Sequence, residues 1–314
     1  MLLRRGPRSS LLVLAISCSL LYGCTTSISG LSIPTTTATG GAEEIPARLF
    51  KPDGAGPFPA VVIMHDCSGV GPRSSGAPGR WARELVGRGY VAIIPDSFTT
   101  RGHVGGICTD ASPSRLEVGP SLRVRDAYSA LAYLRSLPYV DGSSVGLMGG
   151  SHGGATTLAS IAAPESDRDL LAREKRTGFA AAIALYPGCA AHYGGWHIVR
   201  ASSGGAITDY FGVYKPVAPL LILIGEKDDW TPAAPCRKLT EAAQQAGYPV
   251  RLKVYPGAYH SFDSDRPVLY GDRRVNPNSP TGRGATTGGN ADAWADSIRE
   301  VEAFFGQYLR ASGK

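Results

Sequence analysis

Short apolar runs alternate with amphipathic segments along most of the chain. Runs with the length and composition of buried strands occupy residues 60–64, 90–94, 144–149, 180–186, 219–224 and 250–255. Apolar residues recur at helical spacing in 121–137, 235–247 and 292–309. Residues 43–51 fit a further strand at the edge of the sheet. This alternation predicts an α/β fold, with a mostly parallel central sheet and helices on both faces.

The run from Gly149 to Gly153 fits the pattern G-x-S-x-G and directly follows one predicted strand. Residues 154–159 then have the composition of a helix start. A sharp strand-to-helix turn exposes the hydroxyl of its serine above the sheet, and small neighbours let the backbone make that turn. Ser151 is therefore the candidate nucleophile, and it needs an imidazole to accept its proton.

An acidic cluster and a histidine follow two later strands, in the Ser, Asp, His order of α/β-hydrolases. We predict that His260 is the base and that Asp228 orients it. Asp229 is the main alternative for the acid, and Glu226 is also near in sequence. His152 lies too close to Ser151 along the chain to turn freely towards it as a base.

Several stretches together resemble the dienelactone hydrolase family of α/β-hydrolases. They are residues 145–154 at the elbow, 225–232 at the acid, 258–262 at the histidine and 65–69 after the first core strand. The resemblance covers most of residues 45–310. It implies an α/β-hydrolase fold and hydrolysis of a small carboxylic ester or lactone, without a cofactor. The family's namesakes have a cysteine at the elbow, so Ser151 favours general ester hydrolysis through an acyl-serine intermediate.

Acyl transfer also needs hydrogen-bond donors for the developing oxyanion. The fold takes one backbone N–H from the residue after the nucleophile, here His152, and the resemblance assigns the other to Cys67. Asp66 matches a family carboxylate that contacts the nucleophile in the cysteine enzymes, and a structural contact within its loop is the alternative. Arg101 is a candidate partner for a substrate carboxylate, or else a member of an ion pair.

The N-terminus has the features of a bacterial export signal. Arg4, Arg5 and Arg8 precede an apolar run at 11–21 that is too short to span a membrane as a mature helix. The run ends in a Leu-Tyr-Gly-Cys sequence that resembles a lipoprotein box, with a bulky Tyr22. We expect export to the periplasm, or anchoring at the outer membrane through a lipid on Cys24. Plain secretion and a retained N-terminal anchor are the alternatives.

Three segments follow from this interpretation. Residues 1–23 are the expected signal peptide, and 24–41, rich in Ser, Thr and Gly, are an expected flexible tether. Residues 42–314 then form one hydrolase domain, which suits a chain of this length. Its oligomeric state is left open.

Four cysteines remain after the leader and Cys24, and an even number in an oxidising compartment suggests two disulfides. Four cysteines allow three pairings. We predict Cys67 with Cys108 and Cys189 with Cys236, because each pair lies in loops after successive strands at one sheet edge. Buried free thiols are the alternative.

Charge and spacing argue against other classes of partner. The formal charge is +6, and removing the three arginines of the leader leaves 29 basic against 26 acidic residues, or +3. The basic residues are scattered, so no nucleic-acid footprint is expected. The chain lacks a metal-binding spacing such as H-E-x-x-H, so we expect no metal site.

Two segments interrupt the alternation, and both follow strands at the predicted catalytic edge. Residues 189–216 are rich in aromatics, glycine and serine, and either form a pocket wall or lid or are a surface insertion. Residues 264–290 are interpreted as a surface insertion. Two rival functions also remain: a serine peptidase related to the prolyl oligopeptidase catalytic domain, and a non-catalytic envelope lipoprotein that uses the fold as a scaffold.

Overall fold

The computed structural model describes residues 13–19, 22–37, 39–164, 178–201 and 207–309. Within these ranges, a nine-stranded sheet has the strand order β1-β2-β3-β5-β4-β6-β7-β10-β11. Its strands are β1 (Val13–Ser19), β2 (Tyr22–Thr36), β3 (Ala42–Lys51), β4 (Phe58–Met64), β5 (Val91–Pro95), β6 (Val140–Gly150), β7 (Ala181–Leu185), β10 (Leu220–Gly225) and β11 (Val250–Tyr255). Two hairpins lie outside it, β8 (Trp196–Arg200) with β9 (Ile207–Gly212) and β12 (Leu269–Val275) with β13 (Arg283–Thr287).

In this sheet the neighbouring strands β5, β4, β6, β7, β10 and β11 pair in parallel. The strands β1, β2 and β3 are antiparallel to their neighbours. The described helices are α1 (Ala77–Val86), α2 (Pro120–Ser136), α3 (His152–Ile161), α4 (Ala233–Gln245) and α5 (Ala291–Tyr308). Residues 60–64 of β4 and all residues of β5 are buried although successive side chains point to opposite faces, so both faces of the sheet are covered. The predicted fold class is confirmed.

Helices pack on the sheet in two groups. The rings of Trp81 in α1 and Trp294 in α5 meet edge to face, 4.6 Å apart. On α2, the hydroxyl of Tyr128 donates to the carbonyl of Ser160 in α3 at 3.0 Å. Apolar burial of this kind supplies most of the stability of a fold, and here it fixes the sheet edge on which the site is built. None of the described helices combines the length and apolarity needed to cross a membrane.

The N-terminal side of the sheet differs from the sequence-based prediction. The segment 24–41, expected as a tether, contributes most of β2, which pairs with β3 from Thr26 to Thr36. β3 is consequently paired on both sides and is not the edge strand that residues 43–51 were expected to form. The physical reason lies in the alternation along β2, where Ile33 and Thr35 are buried and their neighbours face solvent.

Two disulfides lie at one end of the sheet. Cys67 is bonded to Cys108, and Cys189 to Cys236, with Cα atoms 5.0 Å and 5.1 Å apart. The predicted pairing is confirmed. Cys67, Cys108 and Cys189 lie in loops that follow parallel strands, at the end of the sheet where sites assemble in this class of fold. Cys236 lies in α4 and not in a loop as expected, so the second disulfide ties the loop after β7 to this helix.

Candidate active site

Ser151 lies on a strained turn between β6 and α3. Its φ of 53° and ψ of −116° are unusual for a residue with a Cβ, and its N–H donates to the carbonyl of Leu185 at 2.9 Å. The turn needs glycine beside it, because a Cβ at Gly153 would overlap the carbonyl oxygen of Met64. The backbone therefore holds the Ser151 side chain away from the sheet, as the sequence pattern predicts.

The structure brings Ser151, His260 and Asp228 into one hydrogen-bonded chain. His260 Nε2 lies 2.8 Å from Ser151 Oγ, and His260 Nδ1 lies 2.8 Å from Asp228 Oδ2. All three residues are buried. Because a carboxylate only accepts, Nδ1 carries the proton and Nε2 is free to accept one from the serine hydroxyl.

Thr231 helps to hold the Asp228 carboxylate in place, a role that the sequence did not predict. The backbone N–H groups of Trp230 and Thr231 donate to Asp228 Oδ1 at 3.0 Å and 2.8 Å. Thr231 Oγ1 lies 3.0 Å from Asp228 Oδ2, from His260 Nδ1 and from the carbonyl oxygen of Tyr186. The spacing Asp228-x-x-Thr231 was the available signal, since a hydroxyl three residues on can bond back to the carboxylate.

The two other acidic residues of this loop point elsewhere. Asp229 accepts hydrogen bonds from the N–H and the hydroxyl of Thr286 in β13, at 2.7 Å and 2.8 Å. Glu226 accepts from the N–H of Gly257 at 3.0 Å. Of the three acids considered, Asp228 is the one that contacts His260.

Aromatic rings enclose the imidazole of His260. The Tyr186 ring meets it edge to face with centroids 4.7 Å apart, and the Trp230 ring is tilted at 5.0 Å. The Tyr186 hydroxyl donates to Asp263 Oδ1, and Trp81 Nε1 donates to Asp263 Oδ2, both at 2.8 Å. Burial raises the pKa of Asp263, against the effect of these two hydrogen bonds. This network behind the base was not predicted from the sequence.

The proposed oxyanion donors lie at the same end of the sheet as Ser151. Cys67 and His152 follow β4 and β6, which are parallel and in register at Met64 and Gly149. The Cys67 loop is fixed by its disulfide and by a hydrogen bond of 2.7 Å from Ile107 N–H to the Cys67 carbonyl. The structure therefore places both backbone amides at the carboxyl ends of neighbouring strands.

A buried arginine holds the side chain of His152. Arg123, in α2, donates to His152 Nδ1 at 2.7 Å and to the carbonyl of His65 at 2.9 Å, and stacks over Phe98. Burial and the Arg123 cation lower the pKa of His152 and of His65 well below their usual range. Burial also lowers the pKa of Arg123 to about 10, although Asp126 and Asp66 oppose this.

The two candidate substrate-binding side chains are engaged within the protein. Asp66 Oδ1 accepts from the N–H and hydroxyl of Ser68, and Oδ2 accepts from the hydroxyl of Ser75, which is the loop contact given as its alternative. Arg101 forms an ion pair with Glu43 and Asp126, with N···O distances of 2.7 Å to each. Burial lowers the Arg101 pKa, but the hydrogen bonds and charges of these carboxylates outweigh it and hold it above its usual range.

Asp66, Cys67 and Cys108 lie close enough together to suggest a metal site. Both sulfurs are joined in the disulfide, so neither can act as a thiolate ligand. The carboxylate oxygens of Asp66 already accept hydrogen bonds from two serines. The chemistry of this cluster therefore does not fit a metal ion.

The segment 264–290 is more than the surface insertion that the sequence suggested. Its hairpin is fixed to the loops that carry the acid and the histidine: Trp230 Nε1 donates to the carbonyl of Val275 at 2.8 Å, and Gly288 N–H donates to the carbonyl of His260 at 3.1 Å. Asp229 bonds to the same hairpin through Thr286. These partners are distant in sequence, which is why periodicity could not identify them.

The segment 189–216 contains the β8–β9 hairpin. Trp196 stacks on Tyr210 at 5.3 Å, and its Nε1 donates to the carbonyl of Cys189 at 3.2 Å. The Tyr193 hydroxyl donates to the carbonyl of Gly188 at 2.7 Å. Its aromatic residues therefore pack the hairpin against the loop that follows β7.

Known proteins resemble this chain over most of its length. The model of the dienelactone hydrolase family matches residues 45–309. A protein of Synechocystis sp. named "Putative carboxymethylenebutenolidase" is 24% identical over 277 residues, which cover 85% of this chain and 93% of that protein.

Two solved structures share the fold at low identity. Esterase 2 of Thermogutta terrifontis has a TM-score of 0.56 at 21% identity, with 86% of this chain and 92% of that chain covered. A dienelactone hydrolase-like promiscuous phosphotriesterase from metagenomic libraries has a TM-score of 0.58 at 18% identity, with 91% and 99% covered. With the family match, these findings show that the chain belongs to the dienelactone hydrolase family of carboxylic ester hydrolases.

Proposed function

We propose that this protein is a serine hydrolase that cleaves a carboxylic ester or lactone, with Ser151 as nucleophile, His260 as general base and Asp228 as its orienting acid. The observation that carries the proposal is the continuous hydrogen-bonded chain of 2.8 Å from Ser151 Oγ to His260 and of 2.8 Å from His260 to Asp228. Nucleophile, base and orienting group within hydrogen-bond reach are the signature of covalent catalysis by a serine.

The acylation step follows from this geometry. Ser151 Oγ attacks the ester carbonyl carbon while its proton passes to His260 Nε2, and the carbonyl oxygen becomes an oxyanion. We assign its donors to the backbone N–H groups of Cys67 and His152. When the tetrahedral intermediate collapses, the bond to the alkoxy oxygen breaks, and His260 donates its proton to that oxygen. An alcohol is released, or with a lactone the hydroxyl remains attached to the acyl group.

Deacylation repeats the sequence with water as the nucleophile. His260 takes a proton from water, the hydroxide oxygen bonds to the acyl carbon, and the bond to Ser151 Oγ breaks as Oγ regains a proton from His260. The product is the carboxylic acid. The Asp228 carboxylate stabilises the imidazolium in both steps, and the N–H groups of Trp230 and Thr231 hold this carboxylate in place.

We further propose that the protein is exported and anchored by a lipid on Cys24 after removal of residues 1–23. Disulfides are typical of oxidising compartments outside the cytosol, and two are present. β1, which the cleavage would remove, pairs only with β2 among the described strands, at the outer edge of the sheet. The pairing of β2 with β3 would then place Cys24 close to the folded domain.

Labelling with a fluorophosphonate probe tests the catalytic assignment. The solved Thermogutta terrifontis esterase 2 is described as phosphorylated by paraoxon, so an organophosphorus probe suits this fold. We expect the purified wild type and an exposed-serine control, Ser112→Ala, to be labelled, and Ser151→Ala and His260→Ala to be unlabelled. Hydrolysis of a panel of short-chain esters and lactones should be lost in the same two variants.

Folded wild-type protein that takes up no probe would overturn the proposal and leave the non-catalytic scaffold as the better account. Labelled protein that cleaves peptides but no ester or lactone would favour the peptidase alternative.

A further inference from the structure

An open groove of about 430 Å³ lies beside the N-terminus of α1. Its walls come from parts of the chain far apart in sequence: β3, the loop before α1, α1 itself, and the loop after His260. Ser151, Asp228 and His260 are not among its lining residues. The groove has the volume range of small-molecule sites and lies outside the proposed catalytic machinery.

Arginines dominate this groove. Arg48, Arg80, Arg83 and Arg266 line it, and Asp265 is the one carboxylate in its lining, so four positive charges face one negative charge, a net of +3. Asp265 is a weak counter-charge, since it lies 3.5 Å from Arg80 and its side chain is 71% exposed. Like charges gathered around one concavity repel each other, and an anion between them relieves that repulsion.

Two of the guanidinium groups are held in place by backbone carbonyls. Arg48 Nη2 donates to the carbonyl of Val70 at 2.6 Å. Arg80, with a side chain only 17% exposed, donates to the carbonyls of Ser75 at 3.4 Å and Asp263 at 2.7 Å. Groups that are already ordered lose less conformational entropy when a ligand binds.

The helix start adds to the positive potential. α1 begins at Ala77, and its first turn has no acidic residue. Ala77 N–H donates to Ser75 Oγ at 3.2 Å and Pro78 has no N–H, so the contribution of this helix end is the partial positive charge of the helix dipole, which favours anions. Gly76 at the cap has a φ of 77°, so the turn brings the backbone to the groove in a conformation that favours glycine.

We infer that this groove is a binding site for a multiply charged oxyanion, on phosphate or carboxylate groups, at a position distinct from the ester-cleaving site. Guanidinium forks match the oxygens of phosphate and carboxylate in pairs, and two to three negative charges match the excess of +3. The anion has two sources, a soluble compound or the headgroup of an anionic lipid. The inference rests on the groove alone and does not depend on the assignment of Ser151.

Calorimetric titration with pyrophosphate and with citrate tests for a soluble anion. A double variant, Arg83→Gln with Arg266→Gln, removes two exposed arginines of the groove and leaves Arg48 and Arg80 in place. A control of equal charge, Arg237→Gln with Arg299→Gln, removes two exposed arginines outside it. We expect the groove variant to bind at least about tenfold more weakly and the control to bind like wild type. Thermal unfolding of each variant checks that it is folded.

Sedimentation with phosphatidylglycerol vesicles, compared with phosphatidylcholine vesicles, tests for a headgroup. Binding of either soluble anion, or of phosphatidylglycerol vesicles alone, supports the site and identifies its source if the groove variant weakens that binding and the control variant does not. The inference is overturned if wild type binds none of these probes, or if groove and control variants lose binding equally, because the attraction would then reflect overall charge.

Discussion

Arg123 donates a hydrogen bond to Nδ1 of His152, 2.7 Å away, directly beside the proposed nucleophile. A guanidinium has no acceptor, so Nδ1 accepts and His152 is held as the neutral tautomer with its proton on Nε2. The same cation donates to the carbonyl of His65 and stacks on Phe98. One buried charge thus links α2 to the loops after β4 and β6, where the two proposed oxyanion donors lie.

This arrangement predicts loss of stability in weak acid. Burial and Arg123 lower the folded-state pKa of His65 and His152 well below their usual range, whereas both titrate near pH 6.5 in the unfolded chain. As the pH falls below about 6.5, the unfolded state therefore binds protons that the folded state does not, and stability decreases. From pH 7.5 to 5.5 we expect each histidine to contribute a loss of about 1.4 kcal/mol.

Guanidinium-induced unfolding at both pH values measures this difference. His152→Gln should reduce the difference in the free energy of unfolding between the two pH values by about 1.4 kcal/mol, whatever its effect on stability at neutral pH. His192→Gln is the control, because His192 is exposed and its ring contacts His197 in the segment after β7. An unchanged pH dependence in His152→Gln would contradict the idea that His152 is buried in its neutral form.

The neighbouring aspartates Asp228 and Asp229 should respond differently to the same substitution. Asp228→Asn removes the carboxylate that fixes the His260 tautomer, and we expect kcat to fall by about 10⁴-fold with little change in KM. Asp229→Asn weakens its bonds to Thr286 and should lower the free energy of unfolding by about 0.5–1.5 kcal/mol. Steady-state kinetics and denaturant unfolding of both variants check this. An inactive Asp229→Asn beside an active Asp228→Asn would reverse the assignment of the acid.

Two helical glycines predict opposite effects for the same change to alanine. A Cβ at Gly153 would overlap the carbonyl of Met64 and displace the turn that carries Ser151, so Gly153→Ala should be inactive or fail to fold. Gly306 in α5 has open space at that position, and Gly306→Ala should stabilise the protein by about 0.5–1 kcal/mol. Esterase activity and the unfolding midpoint of each variant measure the contrast. A fully active Gly153→Ala would contradict this prediction, because it would show that the turn at Ser151 can accommodate a Cβ at position 153.

The two disulfides should contribute similarly to stability, but loss of the Cys67–Cys108 bond should affect catalysis more than loss of the Cys189–Cys236 bond. Their sequence separations of 41 and 47 are close, so the chain-entropy model gives each a stabilisation of about 4 kcal/mol. Replacing Cys67 and Cys108 by serine should also reduce kcat, because Cys67 is the proposed oxyanion donor and its loop loses a covalent restraint. Replacing Cys189 and Cys236 should reduce stability with a smaller effect on kcat. Equal effects on kcat would argue that the Cys67 loop is fixed by its other contacts.

The sequence by itself determined the features that depend on local pattern. Apolar runs and helical periodicity located the core strands and three helices, because burial imposes those patterns on neighbouring residues. The elbow around Ser151 was recognisable because a strained turn needs small residues at fixed positions. Asp228 and His260 could be placed because each follows a strand directly, and parallel strands end at a common edge.

Only the tertiary structure decided the contacts between segments distant in sequence. The burial of Arg123, the ion pair of Arg101 with Glu43 and Asp126, and the bond from Asp229 to Thr286 each join parts of the chain that no local pattern relates. β2 was missed because its weak alternation resembles a polar linker until β3 pairs with it. Such partners are set by how the chain folds back on itself, and this information is spread over the whole sequence rather than held in any one motif.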